Sequence, residues 1–473
     1  MDSDFLSGTL REVARRHRIP GAQLSLYRDG ELHEACHGVE RVGGGAPVTT
    51  RSRFAYGSVS KVFTAALALQ LVEDGDLDLD EPITAALGST AVPPGHPMRS
   101  VTMRRLLSHT AGLVSDHEGE PLRSSSLRRY FESVLHVDPV GPPGAAFSYS
   151  NTGYAVAAYV VEVLSGQSWW DSLEAYLAKP AGLDLSFVHD PRMRTTGCTT
   201  VSGHAVDPRT GRAEPVDFYV ESTLVAAGGV AGSATDLVAF GRAFLPEADA
   251  AEDCVVAGPE VLAEMGRPVP AADPFGLAAG WGAGWGLFPA GGGASGDPGG
   301  PLWLGHDGTL DGGSCNVRVD PSTGTALAFT TNSTTGLAAW EDLADALDDA
   351  GLRVGRYRQP APSSLPYRAG ERLTGEYVNG DLGIRVSPGR GGSLRFDVRN
   401  GLSGVLTVGS DLTFSVRTAD RDEVVFSGRF LASRGSGPVD LMQYNGRTLC
   451  RSEALVRHGA RPAPARPAAR HPP

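Results

Sequence analysis

A serine and a lysine three positions apart form the first group of residues that could act together on a carbonyl carbon. On a helix, Ser58 and Lys61 share one face, so the amine can reach the hydroxyl. Serine attacks only when a base takes its proton, and a lysine becomes that base when burial lowers its pKa. The alternative is a surface lysine after a serine N-cap. The apolar run at residues 62–73, directly behind Lys61, argues against it.

A tyrosine and an asparagine form the second group, Tyr149-Ser150-Asn151. A tyrosine on a loop can carry a proton between a nucleophile, an amine and a leaving group. The Asn151 carboxamide can hydrogen-bond Lys61 or a substrate amide. Taken alone, such a segment is an ordinary aromatic loop, so it gains meaning only beside the first group.

The third group is His306-Asp307-Gly308, on a predicted strand and followed by Thr309. A glycine lets a substrate backbone come close, and the next amide can donate to an oxyanion. His306 could orient the tyrosine or bind a carboxylate. A lone histidine is more often structural, and that reading stays open here.

In this order and spacing, the three groups resemble the serine β-lactamase and penicillin-binding-protein superfamily. The similarity is greatest to its class C and D-aminopeptidase-like branch, in which Tyr-x-Asn is the middle motif. It extends over about residues 5–350 and includes further segments typical of that branch, at residues 54–65, 71–75, 77–80, 106–113, 149–154 and 227–230.

The resemblance implies a covalent mechanism without a cofactor. Ser58 would be the acylated nucleophile and Lys61 its base, while Tyr149 would shuttle protons and Asn151 would aid substrate binding. The backbone N–H groups of Ser58 and Thr309 would form the oxyanion hole.

Two neighbouring segments qualify this assignment. His306 stands where true β-lactamases have a lysine, which argues against tight binding of a β-lactam carboxylate. Asp307 and Gly308 are expected beside the substrate with Thr309. The Ser108-His109-Thr110 segment is expected to be structural despite its serine–histidine pair.

The pattern around these groups predicts an α+β domain with an antiparallel sheet flanked by helices. Asp29-Gly30 predicts a hairpin between strands at residues 22–27 and 31–37. Apolar spacing predicts helices at residues 5–18, 62–73, 102–108, 153–165, 169–179, 234–245 and 336–350. Further sheet strands are predicted at residues 302–305, 314–319 and 325–331. The Gly-rich residues 286–301 are predicted to form a long loop.

A change in the sequence pattern near residue 355 divides the chain into domains. We predict a catalytic domain at residues 1–354, a Pro-rich linker at 355–367 and a small β domain at 368–458. Asn-Gly turns and short alternating runs favour a small antiparallel barrel, similar to the lipocalin-like domain appended in some family members. The runs predict strands at residues 383–386, 394–398, 404–408, 412–416, 423–427 and 439–443. Residues 459–473 are Ala, Arg and Pro rich, so we predict a disordered tail.

Composition narrows the function further. The 473-residue chain carries a net charge of −12, which disfavours nucleic-acid binding. No signal-peptide pattern or membrane-length apolar run is present, so a cytoplasmic enzyme without membrane contact is expected. The five cysteines show no metal spacing, and no metal or dinucleotide motif occurs in its proper setting.

The resemblance, the missing export pattern and the β domain together point to penicillin-binding-protein-type thioesterases. These take a nonribosomal peptide from a carrier-protein thioester, prefer a D-residue at the acylating end, and release a head-to-tail macrocycle. Arg447 is a candidate for gripping the peptide from the β domain, although a solvated turn arginine is the simpler interpretation. Trp281, Trp285 and Trp303 could line an apolar cleft or belong to the core.

Two alternatives remain open at this point. A D-stereospecific peptidase, amidase or esterase would use the same residues with water as acceptor. A non-catalytic penicillin-binding-like protein is disfavoured by the intact set of Ser58, Lys61, Tyr149 and Asn151.

Overall fold

A computed structural model describes residues 1–117, 126–188, 200–246, 256–291, 301–359, 363, 370–389, 393–399, 401–418, 424–433 and 437–452. Within them, a seven-stranded antiparallel sheet with flanking helices is followed by a closed eight-stranded barrel. This confirms the predicted fold class. The predicted tail at 459–473 lies outside the described residues, as does most of the predicted linker.

Eleven α-helices occur in the described part of the chain. In chain order they are α1 (Ser3–Arg16), α2 (Ser60–Glu73), α3 (Thr84–Leu87), α4 (Met103–Leu107), α5 (Leu127–Val134), α6 (Asn151–Ser165), α7 (Trp169–Ser172), α8 (Val225–Gly228), α9 (Ala234–Arg242), α10 (Pro259–Gly266) and α11 (Gly336–Asp349). A π-helical stretch, Leu173–Ala178, continues α7. The predicted helices are all present, whereas α3, α5, α8 and α10 were not predicted.

The strands divide into the main sheet, two small sheets and the barrel. They are β1 (Gly21–Arg28), β2 (Glu31–Gly38), β3 (Phe54–Ala55), β4 (Ser186–Phe187), β5 (Gly203–Val206), β6 (Ala213–Val216), β7 (Val230–Gly232), β8 (Gly280–Trp281), β9 (Gly286–Pro289), β10 (Leu302–Leu310), β11 (Gly313–Asp320), β12 (Thr325–Thr331), β13 (Gly375–Asn379), β14 (Leu382–Pro388), β15 (Leu394–Val398), β16 (Ser403–Val408), β17 (Thr413–Thr418), β18 (Val424–Leu431), β19 (Leu441–Tyr444) and β20 (Arg447–Arg451). The main sheet has the order β2-β1-β12-β11-β10-β9-β8.

Local chemistry explains the first hairpin. Arg28 pairs with Glu31, which leaves a two-residue turn of Asp29 and Gly30. Both turn residues have positive φ, 54° and 82°, as a hairpin turn that matches strand twist requires. The predicted hairpin is therefore confirmed, and β1 then pairs with β12 in the middle of the sheet.

Helix α2 is buried on all sides in its first ten residues, as its unbroken apolar run predicts. It packs against α6, α8 and α10. A short 3-10 turn, Gly57–Val59, leads directly into it. The turn that carries Ser58 therefore leads into a helix whose first ten residues are all buried.

One sequence expectation is wrong at residues 286–301. Gly286–Pro289 form strand β9 instead of loop, and β9 pairs with β10 from Leu302 to Gly305. Leu287 and Phe288 are buried there, which offsets the cost of ordering a glycine-rich segment. Residues 292–300 lie outside the described residues.

The barrel has its own core of apolar side chains. Tyr377, Phe396, Phe414 and Phe430 are at most 1% exposed and lie with ring centroids 5.2–6.2 Å apart. Six of the eight strands were predicted, and the first and last, β13 and β20, were not. These two pair with each other and close the barrel, so no free edge remains between them.

Because Phe396 is fully buried in this core, Phe396→Ala should destabilise the barrel by about 3–5 kcal/mol. Val405 lies on the adjacent strand, is 51% exposed and provides the control. Val405→Ala should change stability by less than about 0.5 kcal/mol. Urea unfolding monitored by circular dichroism measures both, and equal effects of the two variants would contradict an independent barrel core.

Candidate active site

Ser58 sits on a turn that is fixed from two sides. Gly57 has a φ of 55°, and a Cβ there would lie 2.5 Å from the Thr309 carbonyl oxygen. On the other side, the Tyr56 hydroxyl donates to the carbonyl of Ser233 at 2.7 Å. The Val230 amide donates to the Ser60 hydroxyl at 2.9 Å. The nucleophile candidate therefore has little freedom to move.

Lys61 is fully buried and surrounded by neutral oxygen atoms. Its Nζ donates to Asn151 Oδ1 at 2.6 Å and to the Ala227 carbonyl at 2.7 Å, and it lies 3.4 Å from Ser58 Oγ. Burial lowers the pKa of Lys61 to about 7. The Asp116 carboxylate acts in the opposite direction, but it bonds to Asn151, so its effect is smaller than that of burial. A substantial fraction of the amine is therefore neutral at neutral pH and able to take the serine proton.

The Tyr149 hydroxyl lies in the same buried space. It has no hydrogen-bond partner of good geometry among the described residues, although the neighbouring Ser58 hydroxyl acts on it to lower its pKa. Burial outweighs this and raises the pKa of Tyr149 well above its usual value. Since Lys61 Nζ lies 4.8 Å from the centroid of the Tyr149 ring, a neutral phenol can relay a proton that Lys61 accepts.

His109 holds the tyrosine loop from behind, as expected for a structural residue. Its ring lies 4.3 Å from the Tyr149 ring, and its Nδ1 accepts a hydrogen bond from the Ser150 amide at 3.1 Å. Its carbonyl accepts from the Ser148 amide at 2.8 Å. Burial and Lys61 hold the pKa of His109 well below its usual value, so the ring packs as a neutral group.

His306 is buried and neutral. Burial and the charge of Lys61 lower its pKa to about 3. Its Nδ1 faces the Asp307 carbonyl at 2.9 Å, so Nδ1 carries the proton and Nε2 keeps its lone pair. Nε2 has no partner among the described residues. A neutral ring cannot bind a carboxylate as a cation, so of its two expected roles the geometry favours orienting Tyr149, 6.3 Å away between ring centroids.

Asp307 does not face the site with its neighbours. Its carboxylate pairs with Arg318 at 2.7 Å and accepts from the Asn316 amide at 2.7 Å. Alternation along β10 places it on the opposite face from His306. The carboxylate therefore has a structural partner in Arg318, which is 1% exposed and lies over the Phe288 ring, and its expected contact with substrate stays a prediction.

Gly308 and Thr309 lie near the end of β10, beyond its pairing with β9. β9 pairs with β10 only as far as Gly305, so the later residues have a free edge. Leu310 and Gly313 close a two-residue hairpin, and alternation then directs the Thr309 N–H away from β11. A Cβ at Gly308 would lie 3.0 Å from Ser58 N, and a Cβ at Gly57 would lie 2.9 Å from Thr309 N, so the two amides proposed for the oxyanion hole belong to closely packed segments.

Asp116 is a site residue that the sequence interpretation missed. Its Oδ1 accepts from Asn151 Nδ2 at 2.6 Å, and its Oδ2 lies 3.5 Å from the guanidinium of Arg447, a barrel residue. Lys61, Asn151, Asp116 and Arg447 thus form one polar chain across the two domains. Asp116 follows the family-like segment at residues 106–113, but nothing in the local pattern distinguishes it.

The three tryptophans around the third motif belong to the core. Trp281, Trp285 and Trp303 are at most 3% exposed. Trp281 alone reaches the site, where its ring lies 5.2 Å from His306 and 6.1 Å from Tyr149.

No helix in the described ranges is long and apolar enough to cross a bilayer.

Comparison with known proteins shows which protein family the chain resembles in sequence. The family model described as Beta-lactamase matches residues 6–352. Penicillin-binding protein 4 of Amycolatopsis lactamdurans is 35% identical over 357 residues, which cover 74% of this chain and 91% of that protein. An unguisins hydrolase of Aspergillus campestris is 25% identical over 71% of this chain and 62% of its own length.

Solved structures resemble both domains. The crystal structure of SurE is 40% identical, with a TM-score of 0.86, and the match covers 95% of this chain and 99% of that one. The structure of SurE with D-Leu is 38% identical, with a TM-score of 0.84 and the same coverage. The similarity therefore includes the barrel as well as the sheet and helices.

Acylation of Ser58 should lose rate on the acid side with a midpoint near pH 7, because only neutral Lys61 accepts the serine proton. The pH dependence of kcat/KM for a p-nitrophenyl ester measures this. Lys61→Ala should abolish turnover, as should Ser58→Ala. Lys179→Ala changes the other lysine of the chain, which is 71% exposed, and should leave the profile unchanged. A rate that stays flat down to pH 5 would contradict Lys61 as the base.

Replacing the phenol alone tests the proton relay. Tyr149→Phe keeps the ring packed against His109 and should lower kcat about a hundredfold or more. The midpoint near pH 7 should persist, since Lys61 remains. Wild-type kcat in the phenylalanine variant would show that Lys61 alone transfers the protons.

Proposed function

The chain belongs to the beta-lactamase family of serine enzymes, and we propose that it is a peptide-releasing acyltransferase of this family. In this proposal Ser58 takes a peptide from a thioester and passes it to the peptide's own N-terminal amine. The product is a head-to-tail macrocycle. No cofactor takes part in either step.

The first step forms the acyl-enzyme. Ser58 Oγ attacks the thioester carbonyl as Lys61 takes the hydroxyl proton, and the oxyanion lies between the amides of Ser58 and Thr309. Collapse of the intermediate breaks the carbon–sulfur bond. The leaving thiolate receives a proton from Lys61 through the neutral phenol of Tyr149, so the amine is free again for the second step.

The second step closes the ring. The N-terminal amine of the bound peptide attacks the ester carbonyl and loses one proton to Lys61 by way of Tyr149. The carbon–oxygen bond to Ser58 then breaks, and the serine oxygen recovers that proton. Ring closure outruns hydrolysis only if the amine is held near the acyl carbon, where effective concentrations of about 10⁵ M or more are attainable.

The barrel is the single observation that carries this proposal. Its turn at Gly446 accepts a hydrogen bond from the Tyr149 amide at 2.9 Å, and its Arg447 stands at the rim beside Asp116. A wall from a second domain is suited to covering a long, folded acyl chain. The match to SurE covers 95% of this chain and therefore includes this wall.

Arg447 is proposed to contact the peptide. Its side chain is 27% exposed, so it is neither a free surface arginine nor fully used by Asp116, from which it lies 3.5 Å. A guanidinium can donate several hydrogen bonds to peptide carbonyls. It would thereby hold the folded chain over Ser58.

The stereochemistry of the acylating residue is proposed to be D. The support is the 38% identity to SurE, a protein solved with D-Leu. The thioester would be carried by a peptidyl carrier protein of a nonribosomal peptide synthetase, and the cytoplasm would be the compartment. Nucleic acid and membrane have no part in the proposal.

Hydrolysis is the second candidate. A relative described as a hydrolase is 25% identical over 354 residues, and the Asp116 carboxylate, 54% exposed, leaves a path for water to the rim of the site. The same residues would then form a D-stereospecific peptidase, amidase or esterase. The two candidates differ only in whether an amine or water attacks the acyl-enzyme.

A peptidyl N-acetylcysteamine thioester with a free L-residue amine and a C-terminal D-residue separates the candidates. We expect a product lighter than the linear acid by one water, read by mass spectrometry. The C-terminal L-diastereomer should react at least about tenfold more slowly, given the modest discrimination expected from packing alone.

An N-acetylated version of the same peptide is the matched control. It can acylate Ser58 but cannot cyclise, so only linear acid should form. Linear acid from the free-amine peptide as well would favour the hydrolase, and an unchanged rate in Ser58→Ala would exclude both candidates.

A further inference from the structure

Two hairpin turns of the barrel press on two loops of the catalytic domain. The turn at Asn445 and Gly446 accepts the Tyr149 amide. The turn after β13 approaches residues 114–116, where a Cβ at Gly380 would lie 3.2 Å from the Asp116 carbonyl oxygen. The two loops are residues 114–116 and residues 147–151. The latter contains Tyr149 and Asn151 and is called the Tyr149 loop below.

Asn379, the last residue of β13, bonds to both loops with one side chain. Its Oδ1 accepts from the Ser115 amide at 2.7 Å. Its Nδ2 donates to Ser115 Oγ at 3.0 Å and to the Thr448 carbonyl at 2.9 Å, with Ser148 Oγ at 3.3 Å. The side chain is 3% exposed, so these bonds face no competition from bulk water.

The contacts continue directly to the reacting groups. The carbonyl of Ser115 accepts the Asn151 amide at 2.8 Å, and Asn151 Oδ1 accepts from Lys61 at 2.6 Å. Ser148, the other partner, immediately precedes Tyr149. Each loop therefore has a short covalent or hydrogen-bonded path from Asn379 to a residue that touches the nucleophile or its base.

We propose that Asn379 is a positioning residue for acyl transfer, whose carboxamide fixes residues 115–116 and the Tyr149 loop against each other. Asn151 is thereby held on Lys61, and Tyr149 is held beside Ser58. The proposal rests on Ser58 and Lys61 as the reacting pair of the proposed function, and it does not depend on whether the acyl group is cyclised or hydrolysed.

The position of Asn379 requires both a hydrogen-bond acceptor and a donor, and asparagine supplies both whereas aspartate, which has the same shape, does not. The Ser115 amide needs an acceptor, while the Thr448 carbonyl needs a donor, and a carboxamide supplies both. An aspartate of the same shape would place an oxygen against that carbonyl oxygen and leave it without a donor. Asn379→Asp is therefore an informative change that leaves the volume unaltered.

Acylation by a p-nitrophenyl ester tests the proposal. Asn379→Asp and Asn379→Ala should each lower kcat about tenfold or more, as expected for a lost buried hydrogen bond that is felt at the reacting groups. The acid-side midpoint of kcat/KM should move upward from near pH 7, because a loosened Asn151 admits water to Lys61 and relieves its burial.

Asp273→Asn provides the matched control at the same interface. The Asp273 carboxylate pairs with Arg429 of the barrel at 2.7 Å, and it contacts neither loop among the described residues. The variant should lose no more than about twofold in kcat and leave the midpoint in place. Equal losses in this variant and in Asn379→Asp would show a general effect of domain contact and overturn the proposal, as would unchanged kinetics in folded Asn379 variants.

Hydrogen exchange on the wild-type protein decides the matter even if the variants do not fold or the ester does not react. The amides of Ser115 and Tyr149 are held by Asn379 and Gly446 of the barrel, and the Asn151 amide is held by the Ser115 carbonyl, so all three should exchange as slowly as those of β13. Exchange of these amides at the rate of exposed loops would overturn the proposal. Failure of the wild type to acylate would count against the proposed function alone.

Discussion

An amine buried without a carboxylate beside it is the constraint on which the site depends. Lys61 is fully enclosed, and its partners are a hydroxyl, a carboxamide and a backbone carbonyl. A charge in such a pocket is costly, so the amine loses its proton at far lower pH than a surface lysine does. The apolar surroundings of α2 provide the enclosure, and Asn151 keeps the Asp116 carboxylate one side chain away. A direct ion pair with Asp116 would stabilise the protonated amine and remove the base.

The two sides of the site are held by different parts of the molecule. The Ser58 turn and the end of β10 belong to the sheet and its buried helix, and they are close-packed through Gly57 and Gly308. The loop residues opposite, Tyr149 and Asn151, derive part of their support from the barrel. The proposed nucleophile, base and oxyanion amides thus rest on the core of the catalytic domain, whereas the proposed proton relay is assembled across a domain boundary.

Local patterns predicted the parts of the fold that local physics determines. The first hairpin follows from Asp29-Gly30, and α2 follows from its apolar run. Ser58 and Lys61 were predicted because their contact is within one helical turn. Asp116 and Asn379 could not be predicted, since their partners lie far away in sequence, and β9 was hidden by its glycines. The ion pair of Asp307 with Arg318 could not be predicted from the motif, because neighbours on a strand point in opposite directions and Arg318 lies on another strand.

The hydrogen bond from Thr448 to the Phe147 carbonyl joins residues 301 positions apart. The Tyr149 loop therefore cannot reach its final arrangement while the ribosome is still making the barrel, even if the sheet and helices have already folded. A nascent chain would carry Ser58 and Lys61 long before it carries a supported Tyr149. Contacts of such long range are also the slowest to form. The proposed acyl-transfer site would thus be incomplete during synthesis, and a chain truncated within the barrel would keep Ser58 and Lys61 without a supported Tyr149.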